Sequence, residues 1–245
     1  MNNVSGRHAV YHSIFKKINR TNFECDIQIK SDKPKLISFL NPSSMLQMKM
    51  DQLTVLTDLY VDGRFLVFVL RYLFKIRVRA ASADYSSIIG VFFDHCIKSR
   101  YSIALIGGSE SECKKAADSI KKKHCDLKIR VIRSGFFASD YELDCFVKSL
   151  DVDVALVGMG APRQELFLKR CSELNANLKI GMTCGGFLTQ TAKRDDFYHP
   201  IVIKLGLRWL QRAFEYKHVR KRLVHDYPYF LTEMIKFRFQ KDHRI

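Results

Sequence analysis

The chain lacks most of the short signatures that would assign it a chemistry at sight. None of its seven cysteines, at positions 25, 96, 113, 125, 145, 171 and 184, forms a CxxC pair. A disulfide framework is therefore not expected, and a reducing cytoplasm is. The eight histidines show no metal-ligand spacing, so the sequence offers no metal site. The most apolar stretch, Phe65 to Phe74, contains Arg71 and falls short of the roughly 20 apolar residues that span a bilayer. Met1 to Arg20 has no apolar core of the kind a signal peptide carries. Gly107-Gly108-Ser109 is neither GxGxxG nor a P-loop, because no Lys-Ser/Thr follows it. Ser134-Gly135 is not a nucleophile elbow. No repeat and no low-complexity linker interrupts the chain.

Negative charge is also scarce. Against 41 Lys and Arg stand 25 Asp and Glu, a net charge of +16. That balance implies an anionic partner: nucleic acid, anionic lipid or a phosphorylated substrate. From Lys204 to Ile245 the chain carries eleven Lys/Arg against four Asp/Glu. Trp209, Phe214, Tyr216, Tyr227, Tyr229, Phe230, Phe237 and Phe239 are interleaved with them. Basic plus aromatic on helices suits a membrane interface better than solubility alone. The lysine-rich stretch Glu112 to Lys123 reads as a solvated helix face.

With 245 residues, 47% of them hydrophobic, the chain can bury one α/β core. Strands are expected over 36–40, 53–61, 102–106, 128–132, 152–157 and 178–182. Helices are expected over 43–52, 64–74, 85–99, 112–123, 140–149 and 162–174. Residues 1–35 are weakly patterned. This alternation predicts a Rossmann-like, mostly parallel sheet with helices on both faces. A core over 1–200 is expected, followed by a basic helical appendage over 201–245.

Three of those strands end in glycines: Gly107-Gly108, Gly158-x-Gly160 and Gly185-Gly186. Glycines on one carboxyl edge let a ligand approach the backbone, and a helix N-terminus there favours an anion. The sharpest run is Asp153 to Glu165, a buried strand that stops at Gly158-Met159-Gly160-Ala161-Pro162 before a helix start bearing Gln164 and Glu165.

These pieces resemble the WecG/TagA/CpsF family of bacterial glycosyltransferases. The resemblance covers roughly Leu36 to Phe230. It is carried by Asn41-Pro42, Val61-Asp62-Gly63, Ile106-Gly107-Gly108, Gly135-Phe136-Phe137, Gly158 to Glu165, Gly185-Gly186-Phe187 and Leu205-Gly206-Leu207-x-Trp209-x-x-Arg212. It implies an inverting enzyme that moves a sugar from a UDP-sugar to a polyprenyl-diphosphate-linked acceptor in cell-surface polysaccharide synthesis. N-acetylmannosamine, its uronic acid or a glucose-type sugar is the donor it implies. Asp62 matches the family's proposed catalytic base. Asn41, Gly63, Gly107, Gly108, Gly135, Gly158, Gly160, Pro162, Gln164, Glu165, Gly185 and Gly186 are expected to bind substrate. Arg212, Arg220 and Arg222 are expected at the diphosphate, where an arginine fork meets phosphate oxygens bidentately. No cofactor and no obligatory metal is implied. The expected partners are the UDP-sugar, the lipid-linked acceptor and the inner face of the cell membrane, to which the protein would be peripherally bound. Homo-oligomerisation is left open, and no nucleic acid is expected.

The chain departs from the family pattern at Phe39, where Thr is usual, at Leu188, at Arg208, and over Asp196 to Pro200. Two other readings stay open at this point. An inactive family member could act as a scaffold, and the +16 charge would also suit a nucleic-acid-binding protein, although no binding motif appears.

Overall fold

A computed structural model describes residues 2–28, 33–174, 177–194, 202, 204 and 208–239. Its centre is a six-stranded, all-parallel sheet. The strands are β1 (Lys35–Leu40), β2 (Asp58–Val61), β3 (Ser102–Gly107), β4 (Lys128–Arg133), β5 (Val154–Gly158) and β6 (Ile180–Thr183), in the order β2-β1-β6-β5-β3-β4. The register pairs Leu40 with Val61, Ile37 with Met182, Val157 with Thr183 and Gly107 with Gly158.

Alternate residues of each strand enter two separate cores, as the two-residue period of a strand requires. Leu36, Leu40, Ala104, Ile106, Ala155 and Val157 face one core. Ile37, Phe39, Ile103, Leu105, Val154 and Leu156 face the other. The second core is closed by α2 (Phe23–Gln28), α6 (Ile89–Lys98), α7 (Glu110–Lys123) and α10 (Phe187–Lys193). The first is closed by α1 (Asn2–Lys17), α3 (Pro42–Gln47), α4 (Met50–Val55), α5 (Arg64–Phe74), α8 (Asp140–Ser149) and α9 (Arg163–Leu174). Helices on both faces bury the inner strands, which explains their near-continuous apolar runs, whereas the edge strand β4 leaves Lys128 and Arg130 exposed.

Three expectations change at the N-terminal side, the first being that the helix expected over 43–52 is two, α3 and α4, broken at the extended residues Met48 and Lys49. Residues 1–35, read as weakly patterned, contain α1 and α2. Tyr11, Ile14, Phe15 and Ile18 form a helical stripe, each at most 4% exposed. Their neighbours Asn2, Asn3, Gly6, His8 and His12 hide that period. The strand expected over 53–61 is split: its first residues end α4, and only Asp58–Val61 pair in the sheet. Thr57 makes the join, its hydroxyl accepting from the Leu36 amide at 3.0 Å. A short apolar run cannot separate helix end from strand by periodicity alone.

The last described elements are α11 (Arg208–Glu215), α12 (Lys217–Lys221), a π-helical turn (Arg222–Asp226) and α13 (Tyr227–Phe239). The expected boundary at 200/201 falls outside the described residues, as do Asp196 to Pro200 and Leu205 to Leu207. Phe230, Met234 and Phe237 of α13 are fully buried in the first core. Phe237 packs edge-on against Tyr11 and Phe15, with centroids 5.6 and 5.7 Å apart. The two ends of the chain thus share one hydrophobic layer. Among the described residues no helix is long and apolar enough to cross a membrane.

Candidate active site

Every strand is parallel, so all six carboxyl ends lie on one edge; the helices after β3 and β6 pack on one face and those after β1, β2, β4 and β5 on the other. The helix after β3 packs on one face and the helix after β5 on the other, although β3 and β5 are neighbours. Such a switch point opens a crevice at the carboxyl edge. A cleft of about 860 Å³ lies there. A smaller cavity of about 200 Å³ beside Asn19, Tyr60 and Arg79 shares no lining residue with it.

The cleft floor is backbone. A Cβ on Gly107 would stand 2.4 Å from the Gly158 carbonyl oxygen, and one on Gly158 would stand 2.8 Å from that of Gly185. The ends of β3, β5 and β6 therefore approach more closely than any side chain permits. Gly160 turns the chain out of β5 at a φ of 76° before the cis Ala161–Pro162 bond and the start of α9.

Most of the sequence-derived candidates meet in this cleft. Asp62, Asn41, Gly63, Gly108, Gly135, Gly158, Gly160, Gln164, Gly185, Gly186, Arg212 and Arg222 line it. Gly107, Pro162, Glu165 and Arg220 do not. Gly107 sits behind the lining as a spacer. Arg220 instead donates from Nη1 to the carbonyls of Ala213 and Phe214, at 2.9 and 3.0 Å, and so braces α11 against α12.

Asp62 follows β2, its amide donating to Leu40 at 2.7 Å. Its Oδ1 accepts the Ser82 hydroxyl. Gly63, at a φ of 94°, then starts α5 with no side-chain cap. By contrast Asn41 caps α3, its side chain accepting from the Ser44 amide at 3.0 Å.

Glu165 lies under the floor, 0% exposed. Its Oε1 accepts from Ser38 Oγ and from Gln164 Nε2, both at 2.9 Å. Its Oε2 has no hydrogen-bond partner among the described residues. Burial pushes its pKa up, against the lowering by those two hydrogen bonds. The amide so held presents its Oε1 to the Gly185 N–H at 3.2 Å. Glu165 thus reaches the cleft through Gln164.

The C-terminal segment supplies the cationic wall. Ser43 donates a hydrogen bond to Asp226 and ties the π-helical turn to α3. Trp209, Arg212, Val219, Arg222, Leu223 and Tyr227 then face the cleft. Burial raises the Tyr227 pKa, Asp62 and Asp226 raise it further, and Arg212 and Arg222 oppose them. One phenol therefore senses the carboxylate from β2 and both arginines from the chain's end.

Sequence reasoning missed Ser82, Asp84, Arg64, Arg163 and Tyr227 as lining residues. Asp84 is 9% exposed and accepts from the Ser86 amide at 2.9 Å. Only its serine-rich surroundings, Ser82 to Ser87, signalled a turn that would bring it to the site. Phe136 is 61% exposed, with the Arg163 guanidinium 5.8 Å from its ring centroid. Of the departures, Phe39 lines the cleft and Leu188 is buried in the second core. The Arg208 side chain lies outside the described residues. Among the described residues no cluster of three or more His, Cys, Asp or Glu is placed to hold a metal ion.

Residues 11–244 match the sequence profile of the glycosyl transferase WecG/TagA/CpsF family. Over 209 residues the chain is 36% identical to a UDP-Gal:alpha-D-GlcNAc-diphosphoundecaprenol beta-1,4-galactosyltransferase of Shigella boydii. The alignment takes in 84% of this chain and 88% of that protein.

Proposed function

Because the chain belongs to the WecG/TagA/CpsF family of glycosyl transferases, we propose that it moves a hexose from a UDP-sugar to a polyprenyl-diphosphate-linked sugar, with inversion at the anomeric carbon. The observation that carries this reading is the convergence of Asp62 with Arg212 and Arg222 over a glycine floor.

The chemistry follows from that arrangement. The acceptor hydroxyl oxygen attacks the anomeric carbon and forms the new C–O bond. The bond from that carbon to the β-phosphate oxygen of UDP breaks, and UDP leaves with the bonding pair. Asp62 takes the hydroxyl proton as general base. Ser82 occupies Oδ1 of this carboxylate, which fixes its plane and leaves Oδ2 for the proton. Charge developing on the leaving diphosphate meets Arg212, Arg222 and the N-terminus of α9, donors already in place before the reaction. The closely packed glycines let that diphosphate lie against backbone. The exposed ring of Phe136, beside Arg163, offers the nucleobase a stacking face.

The Shigella relative uses UDP-galactose, which makes that donor the first to try here. The acceptor class places the reaction at a membrane surface, with the protein bound peripherally. The cationic wall supplies countercharge without a metal ion.

The test is UDP release from a panel of UDP-hexoses and UDP-N-acetylhexosamines, with a short-chain polyprenyl-diphosphate-linked GlcNAc as acceptor. Acceptor-dependent release with one donor, lost in Asp62→Asn, is the expected outcome. UDP binding without turnover for any donor would overturn the catalytic reading.

A further inference from the structure

Helix α5 presents water with a surface that the fold does not use. Leu66, Val69 and Leu70 form its buried face. The opposite stripe, Arg64, Phe68, Arg71, Tyr72 and Lys75, is exposed. These residues recur at helical spacing and so share one side. Phe68 and Tyr72 are each 58% exposed, their rings 4.5 Å apart, and the Arg71 guanidinium lies 5.7 Å from the Tyr72 centroid. No acidic residue occurs in α5.

The stripe continues onto α13. Arg238 Nε donates to the Leu73 carbonyl at 3.0 Å and sets that edge of α13 against α5. Leu231, Ile235 and Phe239, spaced by four, are 37%, 41% and 76% exposed. The acid of this helix, Glu233, is turned toward Arg7 and Lys236 instead.

We propose that the outward face of α5, with the adjoining stripe of α13, is the surface by which the protein lies on an anionic lipid bilayer. This rests on the reading that the acceptor is lipid-linked. Two arguments select lipid over other occupants. Aromatic rings flanked by Arg and Lys, with no carboxylate among them, match the headgroup boundary of an anionic leaflet. A second copy docking by the same face about a twofold axis would gather the Arg71 and Lys75 of both copies in one interface to which α5 brings no carboxylate. The stripe is also continuous with the site. Arg64 and Phe65, the first residues of α5, line the cleft, and Phe65 packs on Tyr227 at 5.1 Å. A diphosphate held at the bilayer surface by its polyprenyl tail would enter the cleft from this side.

The experiment is co-flotation of the full chain with vesicles of phosphatidylcholine alone or mixed with phosphatidylglycerol. It compares the wild type with Phe68→Ala/Tyr72→Ala, Arg71→Glu/Lys75→Glu and the control Tyr141→Ala. Tyr141 is 79% exposed on α8, the helix that follows the opposite edge strand β4. The wild type and the control should float only with phosphatidylglycerol, and added salt should weaken the association. Each double variant should lower partitioning by about tenfold or more, while turnover of a water-soluble short-chain acceptor is unchanged. Wild-type partitioning by both double variants would overturn the proposal, as would a wild type that ignores phosphatidylglycerol. So would a wild-type dimer in sedimentation that the double variants dissociate, since the face would then join two copies. Should the aromatic variant fail to fold, the charge variant decides alone. A wild type that floats but turns over no soluble acceptor would sink the functional reading and leave the docking face standing.

Discussion

Glu165 Oε1 takes a 2.9 Å hydrogen bond from Ser38 across 127 residues of sequence, and the contact joins the helix after β5 to the middle of β1. The carboxyl group has no route to water, so its charge state is set by burial.

That burial gives a pH signature. The folded pKa of Glu165 is raised above its ordinary 4.5. The folded state therefore binds the proton more tightly than the unfolded chain, and stability falls as pH rises from the unfolded value through the folded one. Glu165→Gln keeps an acceptor for Ser38 and Gln164 and removes the titration. The melting-temperature difference, variant minus wild type, should widen from pH 5 to pH 8. An equal difference at both pH values would mean that Glu165 does not titrate in this range.

Asp62→Asn keeps the shape of the cleft and removes the proton acceptor. UDP affinity should hold within about twofold, whereas turnover should fall by about 10²- to 10⁴-fold, the span of general-base catalysis. Isothermal titration with UDP and a UDP-release assay separate the two effects. Undiminished turnover would remove Asp62 from the chemistry.

Arg222→Ala should raise KM for the lipid-linked acceptor, or for the donor, by about 10- to 100-fold, as expected for a lost charge-assisted hydrogen bond of about 1.5–3 kcal/mol. Arg220→Ala, whose guanidinium braces α11 and α12 instead, should change thermal stability more than KM. In the same assay EDTA should leave the wild-type rate unchanged, because cationic side chains neutralise the diphosphate. A rate abolished by EDTA and restored by magnesium would contradict that assignment.

Gly107→Ala forces a methyl group to within 2.4 Å of the Gly158 carbonyl oxygen. Backbone cannot yield as a flexible side chain does, so the loss should reach about 1–3 kcal/mol or more. A urea midpoint equal to that of the wild type would contradict the close approach of the two strand ends.

Phe237→Ala opens a void between α1, α5 and α13 and should cost about 3–5 kcal/mol, read as a lower denaturant midpoint. Deletion from Tyr227 onward should behave like a core lesion, since it removes Phe230, Met234 and Phe237 together. A truncated chain with an unchanged midpoint would show that the last helix is dispensable to folding.

The sheet edge was the most legible part of the molecule. Gly107-Gly108, Gly158-x-Gly160 and Gly185-Gly186 announce strand ends because only a missing side chain admits such backbone contact, and they do meet in one cleft. The helices expected over 112–123, 140–149 and 162–174 match α7, α8 and α9 to within two residues. Helix α1 was not legible, because its partner Phe237 comes from the far end of the chain, and no local window contains both. The same holds for Tyr227, which reaches the cleft through the Ser43–Asp226 tie. Glu165 reads in sequence like any acid in a first helical turn. Its burial follows from Ser38 and Thr183 on two strands that only the assembled sheet brings beneath it.

The placement of β1 beside β6 bears on how the protein is made. The Phe39 amide donates to the Thr183 hydroxyl, 144 residues later, and β1 is flanked by β2 and β6. A chain leaving the ribosome can pair β1 with β2 at once, but the other edge of β1 stays open until β6 is translated. Contacts of such long sequence separation form late and slowly. The floor under Gln164 closes only at that step, so the cleft stays incomplete in a nascent chain until β6 has left the ribosome.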